Sequence, residues 1–324
     1  MRLSKEKLFK LLISLARIRK TQLKIEKHYH EDQMKTPVHL CLGEEAVSVG
    51  VSAHLKTSDM IFSNHRGHGH YLAKGGDLKA LFAELFCKET GCAKGRGGSM
   101  HLIDTSVGHY GSSAIVAGSI PHAVGAAMAF VMQKKKNVAV SFFGDAASEE
   151  GVLQESMNWA KLHNLPVIFV CENNKYSVCS PIQVRQAEMP IATRALGFDI
   201  PAKTVDGMDI FKVYAAAEAA VTHARRGKGP YFLEFNVQRW RAHAGAGDPQ
   251  AKLYRNPEDI LDEKTMRDPL ASLEKYLIKQ KISSREKLDA IYQKIDEEVE
   301  EAFKFGQDSP LPKNEELEKY LFAK

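Results

Sequence analysis

Two common nucleotide-binding signatures are missing from this chain of 324 residues. No Gly-x-Gly-x-x-Gly segment opens a helix directly after a strand, and no Gly-x-x-x-x-Gly-Lys-Ser/Thr segment is present. Because such loops hold the phosphates of dinucleotides and nucleoside triphosphates, a nicotinamide enzyme and an ordinary nucleotidase both lose support. The sequence also lacks internal repeats and low-complexity segments, so it does not have the pattern of a repeat array.

Long apolar runs and a strong net charge are missing as well. No apolar run approaches the ~20 residues that are needed to span a bilayer. The formal net charge is only +5, and the Lys and Arg residues are scattered, which argues against nucleic-acid binding. The five cysteines form no Cys-x-x-Cys pair. We interpret them as reduced thiols and expect a cytoplasmic protein.

The N-terminus is basic and amphipathic, so a transit peptide is one interpretation. Apolar residues recur there at helical spacing, from Leu8 to Ile18. Glu6 and Glu26 interrupt the basic character, and no small-residue cleavage site is visible. We therefore expect this segment to form the first helix of the folded protein.

The hydrophobic content of 44% is enough for a large core. Predicted strands alternate with predicted helices, which indicates an α/β fold with a mainly parallel sheet and helices on both faces. We expect one domain over residues 1–324, with an N-terminal helix at about 4–30 and a helical C-terminal extension at about 257–324. In that extension, Ser283 with Glu286 predicts a helix start and Gly306 a helix end.

The most informative feature is a pair of polar residues that follow two predicted strands. Asp145 follows the strand Val138 to Phe143, and Asn174 follows the strand Pro166 to Cys171. Ligands of open parallel sheets bind at the carboxyl ends of the strands. Carboxylate and amide oxygens suit a small hard cation, and a helix expected to open at Ser148 favours an anion. The sequence thus predicts a magnesium–diphosphate site.

A purely structural interpretation of these residues remains open at this point. Asp145 would cap a helix, and Asn174 would form an Asx turn. The pattern Gly144-Asp145-Ala146 also has alanine where glycine would allow a positive φ. By similar reasoning we interpret His68, His70, His101 and His122 as structural, and Met157 and Trp159 as core residues of a helix over 149–164.

Several motifs in order resemble the alpha subunits of the thiamine-diphosphate-dependent 2-oxo acid dehydrogenases, the family of the pyruvate, branched-chain and acetoin enzymes. The resemblance covers nearly the whole chain. Its motifs are His39-Leu40-Cys41-Leu42-Gly43-Glu44-Glu45-Ala46, His65-Arg66-Gly67-His68-Gly69, the glycine-rich segment Gly91 to His101, Ile115-Val116, Gly144-Asp145, Leu165 to Asn174, and Asp268-Pro269.

The resemblance implies a thiamine-diphosphate-binding fold, thiamine diphosphate and Mg²⁺ as cofactors, and a role for each matching residue. The implied magnesium ligands are Asp145, Asn174 and the backbone carbonyl of Tyr176. The implied cofactor contacts are His65, Arg66, Ala114, Val116, Asp145, Ala146, Ala147, Asn174, Tyr176 and Arg241. His39 matches a histidine near the reacting carbon, and His243 is a second catalytic candidate.

The implied reaction is oxidative decarboxylation of a 2-oxo acid with transfer of the acyl group to a lipoyl acyltransferase. A beta subunit supplies a further carboxylate in this family, so we expect a heterotetramer of two alpha and two beta subunits in a multienzyme complex. The alanine- and glycine-rich segment Ala114 to Met132 is the expected contact surface.

Two departures leave the substrate open. Residues 241–249 contain no serine and are one residue shorter than in the animal enzymes, and Glu149 stands where pyruvate enzymes often have Asn. A further difference, His65 where pyruvate enzymes have Tyr, lies at an implied cofactor contact. The alternatives are an acetoin dehydrogenase or another thiamine-dependent carbon–carbon lyase subunit, and a cofactor-holding subunit without turnover.

Overall fold

The chain forms an α/β fold around a six-stranded parallel sheet in the computed structural model, which describes residues 3–259, 266–316, 318 and 319. The strand order is β2-β1-β3-β4-β8-β7, and every pairing in this sheet is parallel. The strands of the sheet are β1 (Met60–Asn64), β2 (His109–Ser113), β3 (Ala139–Gly144), β4 (Val167–Asn173), β7 (Ala202–Asp206) and β8 (Tyr231–Asn236). A two-residue antiparallel pair, β5 (Tyr176–Ser177) and β6 (Ser180–Pro181), follows β4.

Helices cover both faces of the sheet, as the sequence predicts. They are α1 (Lys5–His28), α2 (Glu45–Ser52), α3 (His68–Ala73), α4 (Leu78–Leu85), α5 (Ser119–Met132), α6 (Gly151–Leu162), α7 (Thr193–Leu196), α8 (Ile210–Arg225), α9 (Ala251–Tyr254), α10 (Pro269–Lys279) and α11 (Arg285–Asp308). Short 3-10 turns lie at Tyr29–Glu31, Asp145–Glu149, Ile182–Val184, Pro257–Asp259 and Asn314–Glu316. None of the helices in these described ranges is both long and apolar enough to cross a membrane.

Side chains along β3 alternate between the two faces of the sheet and so contribute to two core clusters. Val140 and Phe142 join the core cluster under α1, α2, α8 and α11, whereas Ala139 and Phe143 join the cluster under α5 and α6. Both faces are apolar because a central parallel strand is buried on each side. β3 and β4 run in register from Ala139 opposite Val167 to Gly144 opposite Glu172, so both strands end at the same edge of the sheet.

The N-terminal segment is part of the folded core. Helix α1 begins after Ser4, whose hydroxyl oxygen accepts a hydrogen bond from the amide of Lys7. Its apolar stripe is buried, and its basic face contacts α11 through pairs such as Lys20 with Asp296 at 2.7 Å. This packing confirms the prediction that the segment forms the first helix of the folded protein.

Several local predictions are wrong, each for a physical reason. The cap of α11 is Ser284, not Ser283, and Gly306 lies inside α11, where a Cβ would meet the backbone of Phe82 at 2.8 Å. Helix α6 begins at Gly151 instead of Ser148, because residues 145–149 first form a 3-10 turn. Trp159 is 49% exposed, so it is not a core residue, whereas Met157 is buried as predicted.

The sequence analysis also missed β2, β7 and α3. The predicted C-terminal extension is helical at α10 and α11, and its residues 260–265, 317 and 320–324 lie outside the described part of the chain. The expectation of a single domain stays a prediction.

His109 on β2 generates a prediction about stability. Its side chain is fully buried, and within the described chain neither ring nitrogen has a hydrogen-bond partner. Burial lowers the pKa of His109 to about 3. The ordinary pKa of histidine is near 6.5. Below that pH the side chain binds a proton in the unfolded chain but not in the folded chain, so the unfolding free energy decreases as the pH falls.

We expect His109→Phe to reduce this acid sensitivity. Urea unfolding at pH 7.5 and pH 5.5 should show a pH-dependent loss of unfolding free energy about 1.4 kcal/mol smaller than in the unmodified chain. The exposed His30 gives the control variant His30→Ala, which should leave the loss unchanged. An equal loss in His109→Phe would contradict the assignment of His109 as a neutral buried histidine.

Candidate functional site

A cavity of about 290 Å³ opens at the carboxyl ends of β1, β3 and β4. Its position agrees with the general rule for ligands of parallel sheets. Eleven of the twelve predicted site residues line it: His39, His65, Arg66, Ala114, Val116, Asp145, Ala146, Ala147, Asn174, Tyr176 and His243.

Asp145 and Asn174 lie on this cavity as the strand ends require. Asp145 is 1% exposed, and burial raises the pKa of its carboxyl group while the guanidinium of Arg185 opposes that rise. Arg185 donates to Asp145 and also pairs with Glu149. A buried carboxylate needs a cationic partner, and Arg185 supplies that charge in this structure.

Asn174 is oriented from two sides. Its Nδ2 donates to Glu44 Oε1 at 2.8 Å, and its Oδ1 accepts from the amide of Tyr176 at 3.2 Å. The second contact is an Asx turn, so this half of the structural interpretation is observed. The expected helix cap at Asp145 is not observed. The carboxylate of Asp145 accepts from Arg185, and the 3-10 turn that starts at this residue has no side-chain cap. Tyr176 lines the cavity, and its hydroxyl donates a hydrogen bond to Asp259 at 2.8 Å.

The substitution of alanine at position 146 causes no conflict. Ala146 is not among the residues with a positive φ, so this turn does not require glycine. Strained backbone lies nearby instead, at Ala117 with φ +62° and at Val178 with φ +53°. A β-branched residue such as Val178 rarely adopts this conformation, and strain of this kind clusters at functional sites.

Arg66 is held in a polar network that the sequence analysis only partly anticipates. Its Nε lies 3.2 Å from Glu44 Oε2, and its two terminal nitrogens donate to the backbone oxygens of Leu40 at 2.6 Å and His243 at 3.3 Å. Burial lowers the pKa of Arg66 and raises that of Glu44, while each partner opposes the shift of the other. The pair thus places a compensated charge at the base of the cavity.

Three histidines meet at one side of the cavity. The ring centroids of His39 and His65 are 4.7 Å apart, those of His39 and His243 are 4.9 Å apart, and those of His65 and His243 are 5.1 Å apart. Burial, aided by Arg66, lowers the pKa of His39 to about 3, that of His65 to about 2 and that of His243 to about 4. All three rings are therefore neutral near pH 7.

Arg241 is the one predicted site residue outside the cavity. Two of its three side-chain nitrogens, Nε and Nη2, donate to Glu26 on α1, with Nη2 3.0 Å from Oε2. A phosphate contact would require this ion pair to open. The buried Arg239 lies closer to the histidines, and it donates to the backbone oxygens of Arg241 and Val178.

The residues missed from sequence are Glu44, Glu172 and Arg185. Glu44 and Glu172 line the cavity and are buried, and both stand in motifs noted from the sequence, although neither received a role there. Glu172 directly precedes Asn173-Asn174 and accepts from His70 at 3.1 Å, which makes His70 a buried, bonded residue of α3. Arg185 follows the strand pair β5–β6 at a distance of 40 positions from Asp145, and no sequence spacing indicates that contact.

The donors on the cavity fit a hard cation with a phosphate group. Asp145 and Asn174 offer a carboxylate and an amide oxygen, the ligand types that Mg²⁺ prefers. The buried charge of Asp145 already requires a cation. The turn of residues 145–149 borders the cavity with the small residues Ala146 and Ala147, which allow close approach of a ligand to the backbone.

Comparison with known proteins identifies the class. The family model described as "Dehydrogenase E1 component" matches residues 14–315. The alpha subunit of acetoin:2,6-dichlorophenolindophenol oxidoreductase from Bacillus subtilis is 41% identical over 315 residues, covering 97% of this chain and 93% of the relative. The pyruvate dehydrogenase E1 alpha subunit of Zymomonas mobilis is 40% identical over 282 residues, covering 86% of this chain and 78% of the relative.

A third relative, the chloroplastic pyruvate dehydrogenase E1 subunit alpha-3 of Arabidopsis thaliana, is 39% identical over 306 residues, covering 91% of this chain and 69% of the relative. The chain belongs to the dehydrogenase E1 component family. It is therefore an oxidoreductase of the 2-oxo acid dehydrogenase type, and membership implies the use of thiamine diphosphate. The fold and the resemblance expected from the sequence are confirmed.

The Glu44–Arg66 pair generates a prediction. Glu44→Ala would leave a buried guanidinium without its carboxylate, so we expect the unfolding free energy to fall by about 3 kcal/mol. Glu44→Gln keeps an acceptor for Asn174 and should cost less. Urea unfolding at neutral pH measures both, with Glu155→Ala on the exposed side of α6 as control. A loss below about 1 kcal/mol in Glu44→Ala, the value expected for a surface pair, would contradict the account.

Proposed function

We propose that this chain is the alpha subunit of a thiamine-diphosphate-dependent 2-oxo acid dehydrogenase, and that it binds the cofactor diphosphate together with Mg²⁺. One observation carries the proposal. Asp145, Asn174, Arg66 and His39 come from separate parts of the sequence and line one cavity at the carboxyl ends of parallel strands. The similarity to E1 alpha subunits over most of the chain supports the same conclusion.

The proposed metal ligands are Asp145, Asn174 and the carbonyl of Tyr176. Glu44 fixes the orientation of the Asn174 amide, which turns the Oδ1 side towards the Tyr176 backbone. Arg185 gives up its pair with Asp145 when the metal supplies the positive charge. Ala146 and Ala147 offer backbone amides to the diphosphate, and Ala114 and Val116 border the space for the aminopyrimidine ring.

Thiamine diphosphate, when bound, would supply a nucleophilic carbon and an electron sink for the decarboxylation. The chain's own residues orient that cofactor and manage protons. His39 is 6% exposed and neutral near pH 7, a state that suits a hydrogen-bonding group or a base better than a proton donor. An anionic substrate beside it would raise its pKa and let it donate a proton.

Acetoin cleavage is the second candidate function. The acetoin oxidoreductase alpha subunit of Bacillus subtilis is 41% identical over 97% of this chain. His65, in place of the tyrosine of pyruvate enzymes, lines the cavity beside His39, so the departure lies at the proposed reaction centre. A cytoplasmic location stays a prediction that no feature of the structure tests.

The proposed partner is a beta subunit in a heterotetramer with two copies of each chain, working with a lipoyl acyltransferase. Helix α5 supports this with an exposed face that carries Pro121, Gly125 and Met132. Ile115 and Val116 are 73% and 51% exposed at the rim of the cavity. Exposed apolar residues on one helix and at the rim of the cavity favour an interaction surface in this region.

Binding of the cofactor should depend on Asp145. Thiamine diphosphate with Mg²⁺ at ~100-fold over its dissociation constant contributes about 2.7 kcal/mol and should raise the melting temperature. Asp145→Ala should abolish this ligand-induced rise, measured as the increment over each variant's own melting temperature. Asp308→Ala, at the exposed end of α11, is the control. A full rise in Asp145→Ala would rule out the metal assignment.

His39 should act in turnover more than in cofactor binding. We expect His39→Gln, assayed in the assembled enzyme, to lower kcat by a factor of about 10²–10⁴ if the ring transfers a proton. The cofactor-induced rise in melting temperature should be retained. His163→Gln, at the residue that follows α6, serves as the matched control. Unchanged kcat in His39→Gln would refute the catalytic role.

Gly125 allows a direct test of the partner surface. A Cβ added at Gly125 meets nothing within 4 Å, so Gly125→Met should leave the stability of this chain unchanged or raise it through better helix propensity. A partner packed closely on α5 would be displaced, and the mass of the co-expressed assembly should fall. Ala219→Met, on an exposed position of α8, should assemble normally. Normal assembly of Gly125→Met would contradict contact at this face.

A further inference from the structure

The histidine cluster formed by His39, His65 and His243 has a geometry that catalysis alone does not require. One nitrogen from each ring lies within 4.8 Å of the other two. The three residues come from the loop before α2, the loop after β1 and the loop after β8, so the fold itself brings them together. Within the described chain this is the one group of three or more histidine, cysteine or acidic side chains with such spacing.

The rings are available as ligands. His39 is more than nine-tenths buried, and its Nδ1 has no hydrogen-bond partner in the described chain. An unsatisfied buried nitrogen costs free energy, which a ligand would recover. Burial and the neighbouring Arg66 keep the cluster neutral near pH 7, the state in which imidazole binds a metal.

We propose that His39, His65 and His243 form a binding site for a divalent transition-metal ion, with Zn²⁺ as the best match. Three neutral imidazoles with a fourth position open to a cavity are a known arrangement for this ion. The site is chemically distinct from the oxygen donors at Asp145 and Asn174, because imidazole favours Zn²⁺ and carboxylate favours Mg²⁺.

The required adjustment is small. Tetrahedral bonds of about 2.05 Å place two ligand nitrogens about 3.3 Å apart, so each separation within the cluster must shorten by at most about 1.5 Å. His243 lies in the 241–249 loop, where Gly245 and Gly247 adopt positive φ and permit backbone adjustment. The backbone oxygen of His243 is anchored by Arg66, which keeps the ring near the cavity.

Charges around the cluster are balanced. Arg66 and Arg239 face the rings and oppose a cation. Glu44 pairs with Arg66, and Glu172 lies on the same cavity, so two buried carboxylates offset the two guanidinium groups. A neutral ligand set in this balanced surrounding accepts a divalent ion, whereas the unpaired guanidinium of a Glu44 variant would repel it.

Metal binding has a consequence that rests on the proposed function. A His39 ring that coordinates a metal cannot exchange a proton with substrate, so Zn²⁺ should inhibit turnover of the assembled enzyme and a chelator should restore it. Binding itself does not depend on that function. A metal titration without cofactor or substrate therefore tests the site separately.

The test uses the full-length chain, purified with its partner where the two co-purify. Co²⁺ serves as the probe, since a tetrahedral site gives it intense visible absorption, and Zn²⁺ is titrated by calorimetry. We expect one ion per chain, no displacement by excess Mg²⁺, and at least tenfold weaker Zn²⁺ binding in both His243→Gln and His39→Gln. His30→Ala should bind as the unmodified chain does.

Two further variants separate loss of the metal site from loss of folding and from binding to a nearby thiol. His65→Tyr changes a ligand without opening a cavity, and it should also lose the Co²⁺ absorption while its melting temperature shows that it folds. Cys179→Ser removes an exposed thiol that lies on a surface groove with His243, and it should retain the metal. Absence of stoichiometric binding, unchanged affinity in the histidine variants, or loss of binding in Cys179→Ser would each overturn the proposal.

Discussion

The structure depends on compensation of charges that are buried where parallel strands end. Asp145, Glu44 and Glu172 are carboxylates with almost no exposure, and each contacts a nitrogen donor: Arg185, Arg66 and His70 respectively. Removing a buried carboxylate from water is costly unless it is paired and hydrogen-bonded. The partners come from distant segments, so satisfying these charges also fixes how those segments approach the sheet.

The same constraint organises the glycine-rich loop that the sequence singles out. Both oxygens of the buried Glu84 accept backbone amides, from Ala93 and Gly95 on one side and from Gly97 and Gly98 on the other, at 2.7–3.0 Å. Gly95 and Gly98 have positive φ, which explains their identity. The loop therefore wraps around an internal carboxylate, and its next residue, Ser99, bonds His68 at 2.9 Å.

Features that depend on hydrophobic periodicity and on the ends of strands could be predicted from the sequence. The placement of Asp145 and Asn174 on one cavity follows from register, because β3 and β4 are parallel neighbours that end together. The bonds of Arg185 to Asp145 and of Arg241 to Glu26 could not be predicted, since both depend on how loops fold back over 40 and 215 positions. Strand β2 was missed because its residues, His109 to Ser113, are polar and small, and its burial is set by neighbours.

The most direct test of the account is turnover by the chain mixed with its beta-type partner, thiamine diphosphate and Mg²⁺, using a dye acceptor and a panel of 2-oxo acids and acetoin. The account predicts dye reduction with at least one of these substrates, dependent on both subunits and abolished when either cofactor is omitted. Full turnover by the isolated chain, or reduction that does not require thiamine diphosphate, would contradict it.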